Sequence, residues 1–320
     1  MSDTDRLREA GSLDELYALL KPLSTGPGWN KPAPSLWDEP RKTFVPFHWR
    51  YVQAKAALDA AGRLINTELA ERRNLILFNP IPGNDYATTR TLLAAYQMIL
   101  PQEKARSHRH TPNALRLIVD AEDGAYTVVD GVKLMMRPGD VLLTPNWCWH
   151  GHGNESSAPA WWIDFLDTPL IHALEPMFFE PHPATYEPVT RTTAESPMRF
   201  GWEDTLRRLS EAPKTPSGPY ATQIALGAPA MATISLHMML LQSGVETAAH
   251  RTTANNIYAV AQGRGVSLID SESFAWSRGD VIAVPAWRPQ SHCADEDSVL
   301  LRVSDEPVLQ KLDLLRTELR

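Results

Sequence analysis

One segment of the chain occurs twice, and this duplication limits the folds that the chain can adopt. RPGDVLLTPNWCWHGHGN, residues 137–154, is repeated as SRGDVIAVPAWRPQSHCA, residues 277–294. Gly139 of the first copy corresponds to Gly279 of the second, 140 residues later. Two copies at a fixed spacing are typical of two similar structural units in one chain.

The duplication extends upstream to a pair of histidines. SHRHTPNALR contains His108 and His110, and His250 of TAAHRTT lies 142 residues after His108. Both copies fall in segments where short runs of Val, Ile, Leu, Phe and Tyr are separated by Gly, Pro and Asp, a texture typical of β-sandwiches and barrels. We therefore expect an all-β fold with two tandem small β-barrels of about 80 to 100 residues each.

The sequence predicts five segments. They are an N-terminal helical arm (1–73), a first barrel with the candidate site (74–180), a proline-rich linker (181–222), a second barrel with a degenerate site (223–304) and a C-terminal helix (305–320). In the arm, apolar residues at helical spacing predict a helix over residues 5–21, which Pro22 ends. WRYVQAKAALDAAGRLI predicts a second helix.

Composition and charge exclude several classes of partner. The net charge is −7 and no cluster of Lys or Arg is present, so nothing predicts binding to nucleic acid or to an anionic membrane. The N-terminus is charged and no apolar run reaches 18 residues, which predicts a cytoplasmic protein without a membrane span. Cys148 and Cys293 form no CxxC pair and are expected to be reduced. The expected partner is a small molecule.

Motifs in both copies resemble those of the cupins. The first cupin motif, Gly, five residues, His-x-His, three or four residues, Glu, is matched from Gln102 to His110 except for its Gly and its Glu. The second motif is matched at Gly139, Pro145, His150 and Asn154. Trp147 stands where that motif has its second Gly. The resemblance implies a bicupin, with two cupin barrels of the jelly-roll type and helices at both ends of the chain.

More narrowly, the chain resembles the bicupin gentisate and salicylate 1,2-dioxygenases. The segments that carry this resemblance are HRHTPNALR, TPNWCWHGHGN, AERRNLILFNP and WIDFLDTPL, and it covers nearly the whole chain. It implies one Fe(II) per chain, bound by His108, His110 and His150. Three neutral imidazoles leave the ion its full charge and three of six sites, so an anionic substrate can supply the remaining donors.

The second barrel is not expected to bind a metal. His250 aligns with His108, but Thr252 and Gln290 stand where His110 and His150 would be. A single histidine cannot hold iron, so this barrel is expected to serve packing and interfaces, although a ligand-binding role is left open.

The resemblance also implies which residues surround the iron. Arg116 and Arg72 would hold the substrate carboxylate and line the pocket, with Arg73 as an alternative to Arg72. Gln97 would line the pocket, and Leu93 replaces a tryptophan that some salicylate-cleaving relatives carry.

Two further residues are expected to take part in catalysis. His152 would exchange protons with the substrate or an oxygen intermediate. Asp164 would orient His152 or accept a hydrogen bond from a 5-hydroxyl group on the ring.

The implied reaction uses O2 to open gentisate, or a 5-substituted salicylate such as 5-nitro- or 5-halosalicylate, between the carbons that carry the carboxyl and the hydroxyl groups. The resemblance also implies a homo-oligomer, which is a tetramer in the family. Two alternatives are kept open: a redox-neutral isomerase or hydrolase that uses another metal, and a non-catalytic cupin that binds a small aromatic acid. Oxygen uptake distinguishes them, and the preferred ring substituent stays open.

Overall fold

The structure is a computed structural model that describes residues 2–70, 72–227 and 231–320. The chain forms a compact unit that ends at Arg41 and a second one that runs from Lys42 to Arg320. None of the helices in the described ranges is long and apolar enough to cross a membrane.

The first unit contains two short helices, α1 (Asp3–Arg8) and α2 (Leu13–Leu20), and a 3-10 turn (Lys21–Leu23). The continuous helix predicted for residues 5–21 is therefore wrong. Ser12 interrupts it, because its hydroxyl accepts a hydrogen bond from the Glu15 backbone N–H at 3.2 Å and so begins a new helix.

The second unit is mostly β-sheet. Its helices are α3 (Tyr51–Leu64), α4 (Thr67–Ala70), α5 (Thr168–Leu174), α6 (Trp202–Glu211) and α7 (Glu306–Lys311). Helix α3 lies where WRYVQAKAALDAAGRLI predicts one, and Arg50, in an extended conformation, precedes its first turn.

Two six-stranded sheets make the first barrel. Sheet I contains, in spatial order, β11 (Phe179–Pro181), β4 (Lys104–His110), β9 (His150–Asn154), β6 (Ala125–Val129), β7 (Val132–Met135) and β12 (Arg191–Thr192). Sheet II contains β13 (Arg199–Phe200), β8 (Val141–Thr144), β5 (Ala114–Asp120), β10 (Ala160–Leu166), β3 (Leu93–Ile99) and β2 (Arg73–Ile76). The long strands pair antiparallel, as expected for a sandwich closed by hairpins.

The second barrel repeats this arrangement. Sheet III contains β1 (Phe47–Trp49), β20 (Val281–Val284), β17 (Asn256–Gln262), β22 (Ser298–Ser304), β15 (Ser235–Leu241) and β14 (Thr222–Leu226). Sheet IV contains β19 (Glu272–Ser277), β18 (Arg264–Ile269), β21 (Gln290–Ala294), β16 (His250–Thr252) and β23 (Thr317–Leu319). The predicted all-β bicupin is confirmed.

The turns of the two barrels have the same backbone conformation. Gln102 and its counterpart Gly244 have φ of 65° and 71°, and Trp147 and Trp287 have φ of 63° and 62°. Side chains other than glycine rarely adopt this left-handed region. Gln102 and Trp147 therefore adopt the turns that glycine makes in the cupin motifs.

One apolar cluster joins sheet II of the first barrel to sheet III of the second. It contains Tyr96, Leu117 and Ile163 from sheet II and Met238 and Leu301 from sheet III. Because the opposite face of sheet II lines the barrel interior, its central strands are buried on both faces and read as nearly continuous apolar runs. A few polar side chains interrupt these runs, among them Gln97, Arg116 and Asp164.

The ends of the predicted segments differ from the elements observed. The helix predicted for residues 305–320 is wrong beyond Lys311, because residues 317–319 form β23 and pair with β16. The stretch 181–222 adds β12 and β13 to the first barrel and also contains α6. In each barrel a helix and then an edge strand follow the last long strand, so each barrel's edge is covered by the chain that leaves it.

Candidate metal centre

Three histidines of sheet I meet inside the first barrel. His108 and His110 alternate along β4 and so face the same side, and His108 lies opposite His150 on the neighbouring β9. Their ligand atoms all lie within 4.8 Å of one another. In the described ranges, they are the one such group of three or more histidine, cysteine or acidic side chains.

Backbone carbonyls fix the tautomer of two of these histidines. His110 Nδ1 lies 2.8 Å from the Pro112 carbonyl and His150 Nδ1 lies 3.1 Å from the Cys148 carbonyl. A carbonyl can only accept, so both Nδ1 atoms carry the proton and both Nε2 atoms present a lone pair. This is how metal-binding histidines are usually held.

Burial keeps two of these histidines, His110 and His150, uncharged. Desolvation, with a smaller contribution from His108, lowers the pKa of His110 to about 4. Desolvation also lowers the pKa of His150 well below its usual value. Both imidazoles are neutral at pH 7 and are ready to bind a cation without first losing a proton. The donor set therefore fits a divalent transition metal.

Near the histidines, six side chains form a continuous hydrogen-bonded series that we call the buried polar chain. Its members, in order, are Arg72, Gln97, Asp164, Arg116, Thr127 and His152. Arg72 Nε donates to Gln97 Oε1, and Gln97 Nε2 donates to one carboxylate oxygen of Asp164. The buried polar chain starts beside sheet II with Arg72 and reaches sheet I at Thr127.

Arg116 is the centre of this chain. Its Nε donates to the other carboxylate oxygen of Asp164 at 3.1 Å, and its terminal nitrogens donate to Thr127 at 3.1 Å and to Thr144 at 3.0 Å. The side chain is only 1% exposed. These three bonds use three of its five N–H groups, which leaves two for a ligand.

The structure distinguishes between the two candidate arginines, Arg72 just before β2 and Arg73 at its start. Arg72 is bonded to Gln97, and its charge adds to the effect of burial, which is the main cause of the lowered pKa of His110 and of His152. Arg73 donates to Glu103 and to the Ile65 carbonyl. Of the two, Arg72 is therefore the one placed beside the histidines. Leu93 is buried on the same face of β3 as Gln97 and pairs with Leu166.

Sequence reasoning missed Thr127 and Thr144. Both are fully buried and both accept hydrogen bonds from Arg116. Threonines are common in β-strands for reasons of packing alone, so nothing in their local sequence distinguishes these two. Only the pairing of strands brings them to Arg116.

Arg109 lies between His108 and His110 on β4, and its side chain points away from the metal centre. There it contacts two tryptophans and a carboxylate of the neighbouring strand, an arrangement that we call the clamp. Its guanidinium lies 4.5 Å and 4.4 Å from the ring centroids of Trp147 and Trp149. It also forms a 2.6 Å ion pair with Glu180 of β11. Arg251, Trp287 and Glu318 repeat this clamp in the second barrel. The clamp is thus part of the duplicated fold and does not depend on a metal.

The second barrel keeps the framework of the site but only one of the three histidine positions. His250 lies opposite Gln290, in the register that His108 and His150 have in the first barrel. Thr252 stands at the position of His110. His292, the counterpart of His152, is held by Ser267, with 2.7 Å between Ser267 Oγ and His292 Nδ1.

We expect the metal-free protein to lose stability in acid partly through His292. Burial lowers its pKa to about 3, so below the ordinary pKa of about 6.5 the unfolded chain binds a proton that the folded chain does not. Stability from this group is therefore complete only well above pH 6.5 and falls by about 2 kcal/mol between pH 6.5 and 4.5. Urea unfolding at several pH values should show a shallower pH dependence for His292→Gln than for the parent. The same slope in both proteins would contradict this expectation.

Comparisons with known proteins agree with this fold. The cupin domain family model matches residues 95–166. The chain is 32% identical to gentisate 1,2 dioxygenase 1 of Aquipseudomonas alcaligenes, over 99% of each chain. It is also 32% identical to a 5-aminosalicylate 1,2-dioxygenase of a Comamonas species, over 96% of this chain and 90% of that one. The solved salicylate 1,2-dioxygenase of Pseudaminobacter salicylatoxidans matches with a TM-score of 0.87 at 31% identity, over 97% of both chains.

Proposed function

Since the chain belongs to the gentisate and salicylate 1,2-dioxygenases, which are ring-cleaving bicupin enzymes, we propose that it opens gentisate or a 5-substituted salicylate between C1 and C2 with O2. The observation that carries the proposal is a cluster of three histidines, with ligand atoms within 4.8 Å of one another, beside a buried arginine. A neutral donor set favours a ligand that brings its own negative charge, as a 2-hydroxybenzoate does with its carboxylate and ortho oxygen.

We assign the metal to Fe(II), one ion per chain, held by His108, His110 and His150. Bound there, ferrous iron would supply the electron density that lets O2 react with an aromatic ring. The lone pairs on Nε2 of His110 and His150 and the neutrality of both rings support this assignment.

The surrounding side chains would bind and orient the acid. Arg72 is half-buried, and the two N–H groups that Arg116 keeps can bind a carboxylate in the planar geometry that guanidinium groups favour. Gln97 and Asp164 would hold these two arginines in place from sheet II. Leu93, at the same face, would leave room beside the ring where a tryptophan would fill it.

Oxygen uptake tests the proposal against its rivals. We expect protein loaded anaerobically with Fe(II) to consume about one O2 per molecule of gentisate opened and to turn over at least one 5-substituted salicylate as well. Turnover without O2 under Zn2+ or Mn2+ would favour a redox-neutral enzyme. Tight binding of the acid without turnover under any metal would favour a binding protein.

We also propose that the protein forms a homo-oligomer, as its family resemblance implies, and that it is located in the cytoplasm. Exposed apolar side chains on sheet IV, Val266 and Leu268, support association with another copy. Two free cysteines, Cys148 and Cys293, agree with a reducing compartment. Light scattering of the purified chain would measure its assembly directly.

A further inference from the structure

We propose that Thr127 is a positioning residue that keeps the proton of His152 on Nε2, so that His152 acts as a hydrogen-bond donor inside the first barrel. The family resemblance implies that His152 exchanges protons with the substrate or an oxygen intermediate. The proposal concerns the direction of hydrogen bonds in the buried polar chain. Its consequence for turnover rests on the proposed function, whereas its consequence for the proton on His152 does not.

The direction follows from what each group can do. Arg116 has only donors, so at 3.1 Å its N–H must donate to the Thr127 hydroxyl oxygen. Thr127 then has one proton to give, with His152 Nδ1 at 3.0 Å and Met136 Sδ at 3.5 Å as its two neighbours. A thioether is a weak acceptor, so the proton is directed to Nδ1. A neutral imidazole that accepts at Nδ1 carries its own proton on Nε2.

That Nε2 atom lies where a ligand would need it. His150 and His152 share one face of β9, and their ring centroids are 6.2 Å apart. Nε2 of His152 is fully buried and has no hydrogen-bond partner among the described residues. Leaving a buried donor unpaired is unfavourable. An anionic oxygen of the bound aromatic acid would satisfy it, and a fixed N–H there would stabilise negative charge that develops on that oxygen.

The second barrel contains the same device built from different residues. The Trp276 indole N–H, which can only donate, bonds to Ser267 Oγ at 3.0 Å, and Ser267 Oγ lies 2.7 Å from His292 Nδ1. Nε2 of His292 is likewise buried without a partner among the described residues. His292 is therefore expected to have the same tautomer without a nearby group of three metal ligands, which makes it an internal control.

Nitrogen NMR of the imidazoles tests the proposal. Protein labelled with 15N-histidine and loaded with diamagnetic Zn2+ would be measured as a microcrystalline solid by magic-angle spinning, at pH 7.5. The His152 signals are those missing from the spectrum of His152→Gln. We expect an unprotonated Nδ1 and a protonated Nε2 in the parent and in Thr127→Ser. In Thr127→Val, which keeps the shape but lacks the hydroxyl, we expect a mixture of tautomers or protonated Nδ1.

Two controls separate this role from general packing. Ser267→Ala should change the His292 signals and leave those of His152 as they are. Thr144→Val, which removes another partner of Arg116, should keep the His152 tautomer. A protonated Nδ1 in the parent would overturn the proposal, and so would an unchanged tautomer in a folded Thr127→Val. Should that variant not fold, the parent and Thr127→Ser spectra still decide the assignment.

Kinetics then measure the consequence for turnover. We expect Thr127→Val to lower kcat for gentisate by about 10- to 100-fold with little change in KM, and Thr127→Ser to recover most of it. Equal kcat for the valine variant and the parent would overturn the catalytic part of the proposal. Absence of turnover in every variant, the parent included, would instead count against the proposed function and leave the NMR result to stand on its own.

Discussion

Replacing His110 with alanine is expected to remove the metal and to lower turnover by more than about 100-fold. Mutation of residues that only support metal ligands lowers metal affinity or activity by up to about 100-fold, and loss of a ligand itself should cost more. Two imidazoles would remain, His108 and His150, and no carboxylate joins them in the cluster that the described residues form. His108→Ala should behave alike. Metal analysis after anaerobic loading with Fe(II) and gel filtration would show about one ion per chain in the parent and close to none in either variant.

His250→Ala is the matched control because the duplication places His250 at the position of His108 in the second barrel. It removes a buried histidine of the same kind, so any general cost to folding should appear there as well. We expect it to keep one iron per chain and its turnover. Iron retained by His108→Ala, or lost from a folded His250→Ala, would contradict the assignment of the metal to the first barrel.

That His108, His110 and His150 come together could be predicted from the sequence, through the resemblance of their motifs to those of the cupins. His108 and His110 must alternate to share a face of one strand, and the duplicated Gly-Asp and Pro positions locate His150 on another. The same comparison identifies Thr252 and Gln290 as replacements in the second barrel. The alternation and the repeat can be read from the sequence itself, whereas the three-histidine metal set is what the resemblance to the cupins implies.

What sequence could not supply depends on contacts between distant strands. The partners of Arg116 come from β6, β8 and β10, and no spacing in the chain links Thr127, Thr144 and Asp164. The C-terminal segment has the periodicity of a helix, but the open edge of β16 offers backbone hydrogen bonds that residues 317–319 take as a strand. In both cases the structure is determined by contacts with residues distant in sequence, which the local sequence pattern does not specify.

Asp164→Asn is expected to destabilise the protein by about 3–5 kcal/mol, the usual cost of leaving a buried charge without its partner. Arg116 is 1% exposed and Asp164 is the carboxylate that accepts from it. Both neighbours of the carboxylate, Arg116 Nε and Gln97 Nε2, are donors. An asparagine of the same shape must therefore turn its own NH2 group against one of them. Urea unfolding of parent and variant would measure the difference.

This geometry also changes the expected effect on specificity. The sequence alone suggested that Asp164 accepts a hydrogen bond from the 5-hydroxyl of gentisate, so that its loss would affect gentisate more than a 5-nitrosalicylate. In the structure its two oxygens hold Arg116 and Gln97. Because both substrates need those residues, we now expect Asp164→Asn to lower kcat/KM for both acids by similar factors.

Glu306→Gln provides the comparison that separates stability from chemistry. Glu306 is the carboxylate partner of Arg302, which is 2% exposed in the second barrel, with Oε1 of Glu306 2.6 Å from a guanidinium nitrogen. Its loss should destabilise the protein to a similar degree while kcat/KM for both acids stays that of the parent. A selective loss on gentisate in Asp164→Asn would restore the direct contact with the 5-hydroxyl. Equal losses of kcat/KM for both acids in Asp164→Asn, with none in Glu306→Gln, would show that Asp164 acts by positioning Arg116. The choice of ring substituent would then be assigned to the part of the pocket next to Leu93.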